Sequence, residues 1–117
     1  MAKLMIVALI LSLIFISGIS GCVKTAEDCE KMTSGQGKCY FDVGGDTQNA
    51  TLCEKAQDWA TQCYFLVGTE TDNATLCEKA GDMMTDCYFL VGVGTKNETL
   101  CEKAGNWTAK CLASIKK

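Results

Sequence analysis

Residues 49–72, NATLCEKAQDWATQCYFLVGTETD, are followed without a gap by residues 73–96, NATLCEKAGDMMTDCYFLVGVGTK. The two segments agree at 17 of 24 positions, so the chain repeats itself with a period of 24 residues. Working outward in the same register, residues 25–48 (TAEDCEKMTSGQGKCYFDVGGDTQ) precede them, and a shortened unit, residues 97–117 (NETLCEKAGNWTAKCLASIKK), follows. Cys-Glu-Lys recurs in all four units and Cys-Tyr-Phe in the first three. The cysteines of these units are Cys29, Cys39, Cys53, Cys63, Cys77, Cys87, Cys101 and Cys111, alternately 10 and 14 residues apart. Self-similarity at a fixed short period marks a repeat array, in which no unit buries a core alone and neighbours must stack.

Each unit reads as two short helices. Thr51-Leu-Cys-Glu54, Thr75-Leu-Cys-Glu78 and Thr99-Leu-Cys-Glu102 match the capping box, where a hydroxyl and a Glu three residues later satisfy exposed amides reciprocally. This predicts a first helix over about Leu52 to Ala56. Gln57-Asp58, Gly81-Asp82 and Gly105-Asn106 are turn chemistry. The second helix then carries Trp59, Ala60, Cys63, Tyr64 and Val67 on one expected buried face, repeated by Met83, Met84, Cys87, Tyr88 and Val91. Gly68 and Gly92 are expected to end these helices in left-handed caps. Alternation of β-branched residues is missing, so no sheet is expected. The expected fold is all-α: a short α-solenoid of four disulfide-stapled helical hairpins after an N-terminal signal helix. Ser34-Gly-Gln-Gly37 in the first unit and the loss of Tyr-Phe from the last make the terminal units atypical, as capping requires.

The cysteines are staples or ligands. A hairpin turning near Gln57 sets Cys53 opposite Cys63, which pairs Cys29 with Cys39, Cys53 with Cys63, Cys77 with Cys87 and Cys101 with Cys111. A shifted set, Cys39 with Cys53 and onward, would strand Cys29 and Cys111. Thiolate metal ligands come in close pairs such as CxxC, and the chain has none. No metal and no cofactor are therefore expected.

Ahead of the array, Lys3 and the apolar run Leu4 to Ile16, broken only by Ser12, read as an export signal. The run falls short of the roughly 20 residues a membrane-spanning helix needs; a short retained anchor is the other reading. Ile19-Ser20-Gly21-Cys22 resembles the lipobox of prokaryotic lipoproteins, with Ile at 19 where Leu is commonest. The resemblance covers the first 22 residues. It implies cleavage before Cys22 and a diacylglycerol group on its sulfur. The domain reading is a signal peptide over 1–21, a lipidated tether over 22–28 and the repeat domain over 29–117.

Asn49-Ala-Thr51, Asn73-Ala-Thr75, Asn97-Glu-Thr99 and Asn106-Trp-Thr108 satisfy the N-glycosylation pattern. Helix capping by Thr and turn formation by Asn explain the first three equally well. The acid that some bacterial transferases require two positions earlier is replaced by Thr47, Thr71, Thr95 and Ala104. The Cys-Glu-Lys and Cys-Tyr-Phe pattern over residues 25–111 is similar to disulfide-rich helical repeats of predicted archaeal surface proteins. That resemblance implies a fold and an extracytoplasmic address, with no known activity. Phe41, Phe65 and Phe89 read as seam fillers between units or as half-exposed ligand contacts, and Trp59 and Trp107 as core.

Composition narrows the function. The 117 residues contain 9 Cys, no Pro and no His, and all 11 basic residues are Lys against 14 acids, for a net charge of -3. Lack of His removes the commonest general base and the Ser-His and Cys-His nucleophile pairs, so no catalytic residue is expected. The acidic balance argues against a nucleic-acid partner. What remains is a non-catalytic lipoprotein on the extracytoplasmic face of the cell membrane, held by its lipid anchor and presenting a repeat surface to another envelope protein or a glycan. The alternative is an extracytoplasmic lipoprotein binding a small ligand or a metal.

Overall fold

The computed structural model describes residues 25–116. Their secondary structure is entirely helical. A short helix α1 (Ala26–Glu30) leads into α2 (Gln36–Thr47). Short and long helices then alternate as α3 (Ala50–Cys53), α4 (Ala60–Glu70), α5 (Ala74–Cys77), α6 (Met84–Thr95), α7 (Glu98–Glu102) and α8 (Thr108–Ile115). A 3₁₀ turn precedes each of the last three long helices: Gln57–Trp59, Gly81–Met83 and Gly105–Trp107. Residues 25–28, read as tether, already form the cap and first turn of α1. There Thr25 and Asp28 make the reciprocal capping box at 3.3 and 3.0 Å.

The corner from each long helix into the next short one uses only two or three residues. The last carbonyls of a helix need donors from beyond its end. Gln48, in left-handed conformation at φ 54°, gives its N–H to Gly45 O, and Asn49 gives its own to Gly44 O at 2.8 Å. Asp72 and Lys96 are left-handed in the same way, and Asn73 and Asn97 donate to Gly68 O and Gly92 O, each at 2.9 Å. The chain is then extended at the asparagine, and its side chain caps the helix that follows. Asn49 Oδ1 accepts from Thr51 N at 3.0 Å, Asn73 Oδ1 from Thr75 N at 3.1 Å and Asn97 Oδ1 from Thr99 N at 3.0 Å. The caps are thus asparagines, and Thr51, Thr75 and Thr99 lie inside the first turn. The expected Thr-to-Glu box does not form because the asparagine, already extended at the end of the preceding turn, reaches the free amides first.

Gly68 and Gly92 do not end their helices, which run on to Glu70 and Thr95. They allow close approach instead. A Cβ on Gly44 would sit 3.2 Å from Cys63 Sγ, one on Gly68 would sit 3.1 Å from Leu76 Cβ and 3.5 Å from Cys87 Sγ, and one on Gly92 would sit 3.1 Å from Cys111 Sγ. Each long helix thereby lies against the disulfide of the following unit.

Four disulfides close the hairpins, Cys29–Cys39, Cys53–Cys63, Cys77–Cys87 and Cys101–Cys111, every one between cysteines 10 residues apart. Their Cα atoms are 5.3 to 5.5 Å apart, and none of the eight cysteines is more than 2 % exposed. Around them lie Ala56, Ala80 and Ala104, the tyrosines Tyr40, Tyr64 and Tyr88, and Val67 and Val91, the largest fully buried side chains among the described residues. Small residues and sulfur make this core, and the larger aromatics sit outside it. Trp59 and Trp107, expected in the core, are 39 % and 41 % exposed, and Met84 of the expected buried face is 39 % exposed. Trp59 packs on Phe41 with ring centroids 5.4 Å apart, and Trp107 on Phe89 at 5.6 Å, each ring reaching back to the preceding unit. Phe41 and Phe89 are therefore seam residues, and Phe65 is partly buried against the second core cluster beside Met83.

One further contact between units has matched sizes. The residue opening each 3₁₀ turn is left-handed: Gln57, Gly81 and Gly105, at φ 53°, 56° and 58°. Facing Gln57 is Gly37, whose added Cβ would fall 3.0 Å from Gln57 Cβ and 2.7 Å from Ala56 O. Facing Gly81 and Gly105 are Thr61 and Thr85, whose Cγ2 atoms lie 3.0 Å from where a Cβ would stand. One partner in each pair is glycine, and the side that carries the bulk changes between the first junction and the next two.

Two stability measurements follow from this packing. Closing a loop of this length is worth up to about 3 kcal/mol, and an inner unit also supports neighbours on both sides. Replacing Cys53 and Cys63 together by Ala should thus lower the unfolding free energy by roughly 2–3 kcal/mol, more than the same change at Cys29 and Cys39; equal losses in denaturant melts would refute the coupling. Gly81→Gln should cost about 1–3 kcal/mol by overpacking. Adding Thr61→Gly recreates the Gly37–Gln57 pair and should recover a measurable part of that loss, whereas strictly additive losses would dismiss the size matching.

Candidate functional site

The recurring Cys-Glu-Lys and Cys-Tyr-Phe triplets meet between units. In each unit the lysine lies two residues after the first cysteine, and from the second unit on its ammonium reaches back over the tyrosine ring of the unit before. Lys55 Nζ is 5.6 Å from the Tyr40 ring centre, Lys79 Nζ 5.2 Å from Tyr64, and Lys103 Nζ 5.5 Å from Tyr88. A cation over the negative face of an aromatic ring is worth about 0.5–1 kcal/mol at an exposed site. The glutamate of the earlier unit joins the group. Lys55 pairs with Glu30 at 3.8 Å, Glu54 places its charge near Tyr64, and Glu78 places its charge near Tyr88. A row of Glu, Tyr and Lys thus repeats every 24 residues.

Burial of the Tyr64 and Tyr88 rings disfavours the phenolate, and a neighbouring carboxylate disfavours it further. Burial and then the Glu54 charge push the Tyr64 hydroxyl above its usual value of 10.0. At Tyr88, burial and the Glu78 charge act the same way. Both stay neutral donors well into the alkaline range. The row stops at the last unit, where Leu112 and Ala113 stand in place of Tyr and Phe.

A second surface feature pairs aromatics with lysine. Lys38 Nζ lies 5.6 Å from the Trp59 ring and 5.9 Å from Phe41 while pairing with Asp42 at 3.0 Å. Lys110 Nζ lies 5.2 Å from Trp107, which packs on Phe89. Met84 and Leu90 are further exposed apolar side chains.

The sequon asparagines divide into two kinds. Asn49, Asn73 and Asn97 are exposed, sit at equivalent corners, and use only Oδ1 in capping. Asn106 is exposed too but lies inside the 3₁₀ turn Gly105–Trp107. Cys22, Lys3 and the run Leu4 to Ile16 lie outside the described residues. Among the described residues no three His, Cys, Asp or Glu side chains come together, and no helix is long and apolar enough to cross a membrane.

Sequence reasoning missed the lysine–tyrosine contact, although a signal for it was present. Lysine follows the first cysteine in all four units, whereas tyrosine is missing from the fourth. Searches of the chain against protein-family models, curated proteins and solved structures found no match.

Because the folded pKa of Tyr64 and Tyr88 is raised, the folded state holds protons that the unfolded chain releases first. Stability is then indifferent to these groups below the free-tyrosine value of 10.0 and falls as pH rises past it. Melting curves of a Tyr64→Phe, Tyr88→Phe variant should show a shallower alkaline decline than the parent chain.

Proposed function

We propose that the chain is a non-catalytic, lipid-anchored protein of the extracytoplasmic cell envelope. In this reading its four hairpins stack as a short α-solenoid and hold an interaction surface at a fixed place near the membrane. The observation that carries the reading is the cysteine pairing. All eight cysteines from Cys29 to Cys111 are consumed pairwise in buried disulfides, which leaves Cys22 as the odd one, at the lipobox position. Disulfides persist in oxidising compartments, which supports export. A thioether-linked diacylglycerol adds two chains, and at about 0.8 kcal/mol per buried CH₂ two chains make a stable anchor.

The contacts between units support the stacked arrangement. Lys–Tyr contacts and glycine–disulfide contacts join a unit to its successor at the same 24-residue step, and ring pairs join the first unit to the second and the third to the fourth. What is offered to a partner is the pair of platforms Phe41–Trp59 and Phe89–Trp107 with Lys38 and Lys110. Rigid aromatics flanked by single charges suit either a protein face or the apolar face of a sugar.

The test is Cys22→Ser in the full chain. Membrane fractions should lose the protein to the soluble phase, or retain an unprocessed form heavier by the leader. The N-terminal peptide of the parent chain should carry the diacylglyceryl mass. Unchanged partition together with an unmodified Cys22 peptide would sink the anchor.

A further inference from the structure

Asn49, Asn73 and Asn97 occupy one structural position three times over, and their side chains are half used. In each, Oδ1 accepts the backbone N–H of the threonine two residues on, at 3.0, 3.1 and 3.0 Å. The cap therefore takes the carboxamide oxygen and the threonine backbone, leaving the Nδ2 amine and the threonine hydroxyl outside that bond. All three asparagines and Thr51, Thr75 and Thr99 are exposed. The backbone at each asparagine is extended, with φ near -105° and ψ between 96° and 107°. The asparagine is already extended, and only the first turn of a four- or five-residue helix must open for an enzyme groove to take the triplet, which leaves the rest of the domain folded.

We propose that the exported chain carries N-linked glycans on Asn49, Asn73 and Asn97, one per unit along one edge, and none on Asn106. The donor is an oligosaccharide linked through phosphate to a polyprenyl lipid. Nδ2 forms a bond to the anomeric carbon, the bond from that carbon to the phosphate oxygen breaks, the lipid phosphate leaves with its electron pair, and Nδ2 loses one proton. No redox change is involved. The oxygen that caps the helix is untouched, so the glycosylated residue remains a cap, and the array gains a row of sugars without losing a corner.

Asn106 lies in a different setting. It stands inside a 3₁₀ turn, the residue between it and Thr108 is Trp107, and that ring is packed on Phe89 at 5.6 Å beneath Lys110 at 5.2 Å. Thr108 is partly buried and opens α8. To extend this triplet into a transferase groove, Trp107 must leave its seam.

The inference rests on the export reading but not on the lipid at Cys22, and one experiment separates them. Native full-length protein from its own membranes is digested without reduction and mapped by mass spectrometry. Disulfide-linked peptides report export independently of sugar. The expected map shows glycan masses on the peptides of Asn49, Asn73 and Asn97 and a bare Asn106 peptide. Bare peptides at the three corners in a disulfide-linked chain overturn the proposal, as does equal occupancy at Asn106. Two triple variants then separate sugar from cap. Thr51→Ala, Thr75→Ala, Thr99→Ala should lose all three glycans, yet when made without glycosylation should melt with the unglycosylated parent, because the cap uses the threonine backbone N–H. The corresponding Asn→Ala triple variant should lose the glycans and also melt lower. Equal melting loss in both variants would mean that the corners are not built on asparagine, and the proposal would fail with them.

Discussion

Helices α3, α5 and α7 have only four or five residues, whereas an isolated helix becomes marginal in water only at about 12–15 residues. What lets them persist is the covalent bond joining each to the long helix beside it. Cys53–Cys63 and its counterparts hold the two arms of a hairpin with Cα atoms 5.3 to 5.5 Å apart, at a point already stripped of water. The rest of the packing is arranged around that sulfur. Alanines flank it, valines cover it, and a glycine from the previous unit lies close against the next unit's bridge. Bulk is pushed outward, which is why the tryptophans lie across seams and not within a core.

The legible part of the fold was what depends on spacing. Cysteines 10 and 14 apart announce a hairpin and a period, and the phenylalanines one position after each tyrosine fall at the seam. The illegible part was what depends on geometry between elements. Thr51 and Glu54 satisfy a capping pattern, yet Asn49 is delivered to the free amides by the turn before it, and no local pattern weighs one cap against another. Gly68 has the composition of a helix end and the function of a gap for Leu76 and Cys87. Trp59 lies on an apolar stripe, but the space that stripe faces is too small for an indole once a disulfide fills it.

Charged and aromatic groups give the array a direction. Lys55, Lys79 and Lys103 each lean back onto the tyrosine of the unit before, and each tryptophan onto the phenylalanine of the unit before. The first unit offers Tyr40 and Phe41 but carries Gly35 where the second carries Trp59. The last offers Lys103 and Trp107 but ends in Leu112 and Ala113. A second copy placed end to end would find neither ring pair nor Lys–Tyr contact.

The corner at Asn49, Asn73 and Asn97 closes one helix through its backbone and opens the next through its side chain, with a single left-handed residue before it. Such a joint has no slack. One residue added or removed there would rotate everything downstream by about 100° about the helix axis and carry the next disulfide away from its glycine. Change in length can therefore come only in whole steps. A gene built on this joint grows or shrinks by copying or deleting complete 24-residue modules, and the near identity of residues 49–72 and 73–96 is the trace such copying would leave.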